Sequence, residues 1–143
     1  MISFHNMKRK ELISIIITTK NEQDVIGDLL ASISEQSYKN IEVILVDNHS
    51  SDNTLKTAKK FEVKSYTFGP ERSAQRNFGV KKSKGKYLLF LDADMKLTPT
   101  VANECIKIIK AGKSIGGIAI PEKSVAHSFW ERVKSFERSF YNE

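Results

Sequence analysis

The stretch from Lys86 to Pro99, KYLLFLDADMKLTP, decides how the chain is read. Tyr87 to Leu91 are all apolar or aromatic and run directly into Asp92-Ala93-Asp94. Such a run predicts a strand buried in a parallel sheet, where neither face meets water. Residues i and i+2 of an extended segment project to one side. Asp92 and Asp94 are therefore expected to offer their oxygens to one hard cation. Two close carboxylates repel unless a cation neutralises them. Mg2+ or Mn2+, held by one or two carboxylates and completed by substrate phosphates, is the expected arrangement. The alternative left open by the residues alone is that each aspartate caps a turn or pairs with a lysine such as Lys96.

Working outward, strands alternate with helices. Leu12 to Thr18 is β-branched and nearly all apolar, and reads as a first buried strand. Asn21 is expected to cap the following helix, with Asp24 in a capping-box arrangement. Val25, Ile26, Leu29, Leu30 and Ile33 then recur at helical spacing. Ile41 to Val46 is a second buried strand, followed by the polar turn Asp47 to Asp52, where Ser51 or Asp52 caps a short helix carrying Leu55, Ala58 and Phe61. Val63 to Phe68 reads as a weaker strand. Glu71 to Ser83 is expected to be helical, with Ala74 and Phe78 inward and Gly85 as its stop. Thr98-Pro99 is expected to cap the next helix, whose inner face is Val101, Ala102, Cys105, Ile106 and Ile109. Ser114 to Ile120 is a fifth strand, and Val125, Phe129, Val133, Phe136 and Phe140 mark a last amphipathic helix. The domain reading is a tail over residues 1–11, an α/β core over 12–121, and the amphipathic helix over 122–143. The fold class is α/β: an open, mostly parallel sheet with helices on both faces.

In such a sheet, ligands sit beyond the carboxyl ends of the strands. Thr18-Thr19-Lys20-Asn21-Glu22, Asp47-Asn48-His49 and Asp92-Ala93-Asp94 should gather there. Neither G-x-G-x-x-G nor G-x-x-x-x-G-K-[ST] occurs, so side chains and a metal must do what a glycine cradle would otherwise do. The chain of 143 residues carries 23 Lys and Arg against 17 Asp and Glu, a net charge of +6. Scattered lysines on predicted helix faces account for much of that excess, and nucleic-acid binding is not expected. The single cysteine, Cys105, excludes an internal disulfide and a cysteine metal cluster. His5, His49 and His127 lack metal-ligand spacing. No apolar run approaches the roughly 20 residues of a membrane span. A cytoplasmic location, extending to the inner face of the membrane, is the expectation.

Three blocks in order resemble the family 2 glycosyltransferases, inverting enzymes of the GT-A fold: SIIITTKNE at Ser14–Glu22, SISEQSYKNIEVILVDNHSSDNT at Ser32–Thr54, and RSAQRNFGVKKSKGKYLLFLDADMKLTP at Arg72–Pro99. The resemblance implies a nucleotide-diphosphate-sugar donor, UDP- or GDP-linked, and transfer to a saccharide or lipid-linked acceptor. It implies that Thr18, Thr19 and Lys20 border the base and ribose, with Glu22 beside them. Thr18 stands where proline is common and Lys20 where tyrosine is common. Asp47 and Asn48 match the pair that reads the base edge and ribose. Asp92 matches the D-x-D position near the ribose, Asp94 the one that holds the metal, and Arg72 and Arg76 are candidate diphosphate partners. The family's general base lies after the fifth strand; Glu131, Glu137 and Glu143 match no pattern for it, and none is assigned. The residues present resemble the donor half of the enzyme.

The basic, aromatic last helix is read first as packing on neighbouring structure, then as a peripheral membrane contact or a homodimer face. A phosphoacceptor module would need an acidic pair after the first strand, and a nucleotidyltransferase a glycine-rich loop there; both are lacking. A non-catalytic nucleotide-sugar-binding or scaffold protein is the remaining alternative.

Overall fold

The computed structural model describes residues 11–112 and 115–121. The chain divides into two compact units after Ala111. In the first, a parallel four-stranded sheet has the order β3-β2-β1-β4. Its elements are β1 (Ile13–Thr19), α1 (Ile26–Ser34), β2 (Ile41–Asp47), α2 (Thr54–Ala58), β3 (Lys64–Thr67), α3 (Arg72–Lys82), β4 (Tyr87–Asp92) and α4 (Val101–Ala111). In the second unit, residues 115–121 form neither helix nor strand. The expected fifth strand is thus not formed there. Gly116-Gly117 supplies no side chains to pack and maximal backbone freedom to lose. The expected amphipathic helix over 122–143 and most of the N-terminal tail lie outside the described residues.

β1 is buried along its whole length, and its two faces meet different helices. Ile13, Ile15 and Ile17 pack in one cluster with Ile26, Leu29, Leu30 and Ile33 of α1, Ala58 of α2, and Ala102 and Ile106 of α4. Each fully buried aliphatic side chain there contributes about 1.5–3 kcal/mol relative to exposure. Ile16, on the opposite face, meets α3. The predicted inward residues of α3 were Ala74 and Phe78, but Gln75 and Gly79 are the buried ones. A β-carbon at Gly79 would lie 2.6 Å from Ile16 Cγ2, so only glycine lets the helix come this close. Phe78 instead stacks on Phe68, with ring centroids 4.6 Å apart, at the outer margin of the helix.

Three expected helix boundaries are corrected. Asn21 does not cap α1 and Asp24 completes no capping box; α1 begins at Ile26, and Val25 at its N-cap makes no side-chain cap bond. Asn21 is diverted to another loop, as described below. α4 starts at Val101, because the Thr98 and Pro99 carbonyls accept from Gln36 Nε2 at 2.8 Å and from the Ser37 N–H at 2.8 Å. α3 ends at Lys82, before Gly85. Gly85 is needed for another reason: its N–H donates to Ser14 Oγ at 2.8 Å, and a β-carbon would sit 2.6 Å from the Ser14 nitrogen.

β4 is an edge strand within the described residues, not one covered on both sides. Register pairs Ser14 with Leu88, Ile16 with Phe90 and Thr18 with Asp92, so these residues share the face that α3 covers. α3 packs over β1 and β2, and Leu88 and Phe90 each remain 41% exposed.

At the amino end of the sheet, Glu42 accepts from Lys64 Nζ at 2.7 Å, from the Lys84 N–H at 2.6 Å and from Ser14 Oγ. Partial burial alone would raise its pKa, but these bonds outweigh burial and hold it down to about 2 from 4.5. A carboxylate whose folded pKa is depressed adds stability above its unfolded pKa and loses it as pH falls through the folded value. Glu42→Gln is expected to lower unfolding free energy by about 1–2 kcal/mol near neutral pH. In urea melts, the gap to the parent should stay full above pH 4.5 and close as pH approaches about 2.

Candidate functional site

Parallel register brings the strand ends side by side: Thr19 opposite Asp47, and Thr18 opposite Asp92. The residues expected to gather do gather at this carboxyl edge. Asp47 is fully buried. One of its oxygens accepts from Thr19 Oγ1 at 2.8 Å and from Ser50 Oγ; the other accepts from the Ser50 N–H at 2.8 Å. Asp47 therefore locks the ends of β1 and β2 together. Asn48 is also nearly buried: its N–H donates to the Thr19 carbonyl at 2.8 Å and its Nδ2 to the Pro70 carbonyl at 2.9 Å.

The loops after β1 and β2 are stapled by reciprocal bonds. Asn21 N–H donates to Ser50 Oγ at 2.8 Å, and Ser51 N–H donates to Asn21 Oδ1 at 2.9 Å. Glu22 N–H donates to Thr54 Oγ1 at 2.8 Å, and Gln23 N–H to Asp52 Oδ2 at 3.1 Å. Asp52 also accepts from the Thr54 N–H at 2.9 Å, but the N-cap of α2 is Asn53, with no side-chain cap bond, so neither Ser51 nor Asp52 caps that helix as expected. Asn21 and His49 both adopt the left-handed region, with φ of 56° and 49°. That conformation is tolerated best by short polar side chains bonded locally, which is why Asn21 serves the loop and not α1. Lys20 and His49 are exposed beside these loops.

From the other side, α3 delivers three side chains one helical turn or less apart. Gln75 Nε2 donates to the Val46 carbonyl at 2.7 Å and to the Thr19 carbonyl at 3.2 Å. Arg76 reaches Asp92 at 3.0 Å and Arg72 reaches it at 3.6 Å. Arg72, Ser73, Arg76, Asn77 and Phe90 line an open cleft of about 400 Å³. Gln75 was not among the sequence candidates. Its only signal was a polar residue one turn before Gly79, on what proves to be the buried stripe.

The extended backbone on which the pairing of the two aspartates was expected does not continue past Asp92. β4 ends at Asp92, and Ala93-Asp94 turns, with the Met95 N–H donating to the Asp92 carbonyl at 3.2 Å. Asp92 is engaged by arginines. Asp94 is exposed and close enough to Glu22 to act on it. Burial first, then Asp94, with Asp52 and Asp92 in the same direction, pushes the Glu22 carboxyl up, against the pull of Arg72. Among the described residues no three His, Cys, Asp or Glu side chains form a metal cage. An exposed carboxylate beside a second one suits an open divalent site that ligand phosphates complete, and not an all-protein one. Thr18 is buried, and its Oγ1 is the one buried side-chain polar atom with no partner among the described residues.

Comparison with known proteins now adds a family. The Glycosyl transferase family 2 profile matches residues 14–143. The chain belongs to that family. It is 37% identical over 90 residues to the Escherichia coli UDP-Glc:alpha-D-GlcNAc-diphosphoundecaprenol beta-1,3-glucosyltransferase WfaP, covering 59% of this chain and 36% of that protein. Its fold matches Staphylococcus aureus TarS 1-349, solved with UDP-GlcNAc, at a TM-score of 0.65 and 25% identity, over 79% of this chain and 38% of that one. It also matches the mannosyltransferase PcManGT of Pyrobaculum calidifontis, solved with GDP-Man and Mn2+, at a TM-score of 0.56 and 24% identity, over 62% and 29% of the two chains. The solved neighbours are GT-A glycosyltransferases, the fold that the sequence resemblance implied. The chain thus spans less than two-fifths of the length of these proteins. Among the described residues, no helix is long and apolar enough to cross a membrane.

Removing the Asp47 carboxylate would leave the Thr19 and Ser50 groups unpaired in a buried site. Asp47→Ala is expected to cost about 3 kcal/mol or more in urea unfolding. A loss below about 1 kcal/mol would show that the strand ends do not depend on it.

Proposed function

We propose that this chain forms the donor-binding part of an inverting glycosyltransferase that moves a sugar from a nucleotide-diphosphate donor to an acceptor hydroxyl. The observation that carries this reading is the convergence of Glu22, Asp92 and Asp94 with Arg72 and Arg76 at the carboxyl edge of the parallel sheet. Arginine guanidinium groups suit the diphosphate, because they offer planar paired donors and permanent charge. Asp92, at the tip of β4, stands next to the ribose in this reading. Thr18, Thr19, Lys20, Glu22 and Asn48 border the base and ribose. Asp47, with its carboxylate buried and fully engaged by Thr19 and Ser50, acts by holding that border in shape.

Asp94 would hold a divalent cation, Mg2+ or Mn2+, against the diphosphate, with Asp92 as the second carboxylate of the motif. Such a cation, when bound, neutralises charge on the departing nucleoside diphosphate. Burial is the largest cause of the raised Glu22 pKa, but Asp94, Asp52 and Asp92 all push it the same way, and it is that gathering of negative charge that favours a cation there. No residue is assigned as the base that deprotonates the acceptor.

A UDP-linked donor is favoured over a GDP-linked one, because WfaP is named for UDP-Glc and TarS was solved with UDP-GlcNAc. PcManGT, solved with GDP-Man, keeps the guanine donor as the second candidate. The acceptor is a saccharide or a lipid-linked saccharide; the WfaP acceptor is named as a diphosphoundecaprenol. A lipid-linked acceptor would bring the chain to the inner face of the membrane.

Calorimetric titration of UDP and GDP, with and without Mn2+, tests this reading. Mn2+ is expected to strengthen binding of the preferred diphosphate about tenfold or more, and Asp94→Ala to abolish that dependence. Equal affinity of the parent chain with and without metal would remove Asp94 from its assigned role.

A further inference from the structure

Thr18 borders the donor site in the reading above, yet its buried hydroxyl has no partner among the described residues. A buried hydroxyl without a partner costs stability, and such atoms are rare. Thr18 Oγ1 is one. Its residue lies directly opposite Asp92 in the parallel register of β1 and β4, so both side chains stand on the same face of the sheet. That face carries α3, and from it Arg76 and Arg72 reach the Asp92 carboxylate at 3.0 and 3.6 Å. The acceptor nearest in register to the idle hydroxyl is thus already engaged by two cations.

The two arginines are the more exposed members of this cluster. Their side chains are 41% and 62% exposed, against 31% for Asp92. An arriving diphosphate competes for them with more charge than one carboxylate offers. Withdrawing both guanidinium groups would strand a half-buried carboxylate, which is costly unless another donor replaces them. The Thr18 hydroxyl is placed to be that donor.

We propose that Thr18 is a positioning residue for Asp92: its hydroxyl donates to the Asp92 carboxylate when a nucleoside diphosphate draws Arg72 and Arg76 away. The inference rests on the donor reading above and deepens it. In the free protein, arginines hold Asp92 and the hydroxyl idles. In the liganded protein, the arginines serve the diphosphate, and Thr18 keeps Asp92 aimed at the ribose. The hydroxyl therefore contributes to binding and not to the stability of the free chain.

Thr18→Val keeps the shape and removes the hydroxyl; Thr18→Ser keeps the hydroxyl. UDP affinity in the presence of Mn2+, and Tm without ligand, are measured for the parent and both variants. Thr18→Val is expected to hold or raise the ligand-free Tm, since an unpaired buried hydroxyl is lost, while weakening UDP binding about tenfold. Thr18→Ser is expected to restore most of the affinity. Combined with Asp92→Asn, the Thr18→Val change should cost markedly less than it does alone, because the two act through one contact. If the parent binds UDP and Thr18→Val binds it equally, the role of Thr18 is overturned while the donor reading stands. If the parent binds neither UDP nor GDP with Mn2+, the donor reading falls and this inference falls with it.

Discussion

The site depends on one buried carboxylate. Asp47 sits at the end of the central pair of strands with no exposure to solvent, and its oxygens are engaged by the Thr19 hydroxyl and by both donors of Ser50. Ser50 in turn accepts from the Asn21 N–H. One side chain therefore links the two strand ends and the two loops that leave them. The left-handed turns at Asn21 and His49 are held by this network. Without it, the polar residues after β1 and β2 would have no fixed positions relative to one another.

The approach of α3 supplies the second half of the frame. Gly79 lets the helix settle on Ile16 and Val46. One turn earlier, Gln75 can then bond the carbonyls of Val46 and Thr19. Arg76 and Arg72, adjacent and one turn further, reach Asp92. A missing methyl group deep under the helix thus sets the position of two guanidinium groups at the sheet edge. The two ends of the sheet are treated oppositely. At the amino end Ser14, Glu42, Lys64, Lys84 and Gly85 satisfy one another in a closed knot. At the carboxyl end, charges are gathered and left accessible, which is where parallel sheets bind ligands.

Legibility followed the physical range of each signal. The strands read well because an all-apolar β-branched run has few other places to go; Ile13–Thr19 and Ile41–Asp47 fall within a residue of expectation. Helix ends read poorly, because Asn21 and Thr98 carry local capping signals that distant partners override. Asn21 is claimed by Ser50 and Ser51, and the Thr98 carbonyl by Gln36. The acidic tip of β4 was legible as a site, but not as a geometry. Alternation along an extended chain holds only while the chain stays extended, and it turns at Ala93-Asp94.

What the amino-acid order alone determined was the alternation of strand and helix, the parallel sheet, the identity of the acidic and basic groups, and the family, because these are written in short-range patterning and in ordered blocks. What tertiary structure alone decided was who holds whom: that Asp47 is internal, that Asp92 is held by arginines, that Gln75 and Gly79 form the buried stripe of α3, and that Thr18 keeps an idle hydroxyl. Hydrogen-bond and ion-pair partners depend on distances between segments remote in the chain, and those distances exist only once the sheet has closed and the helices have packed on it.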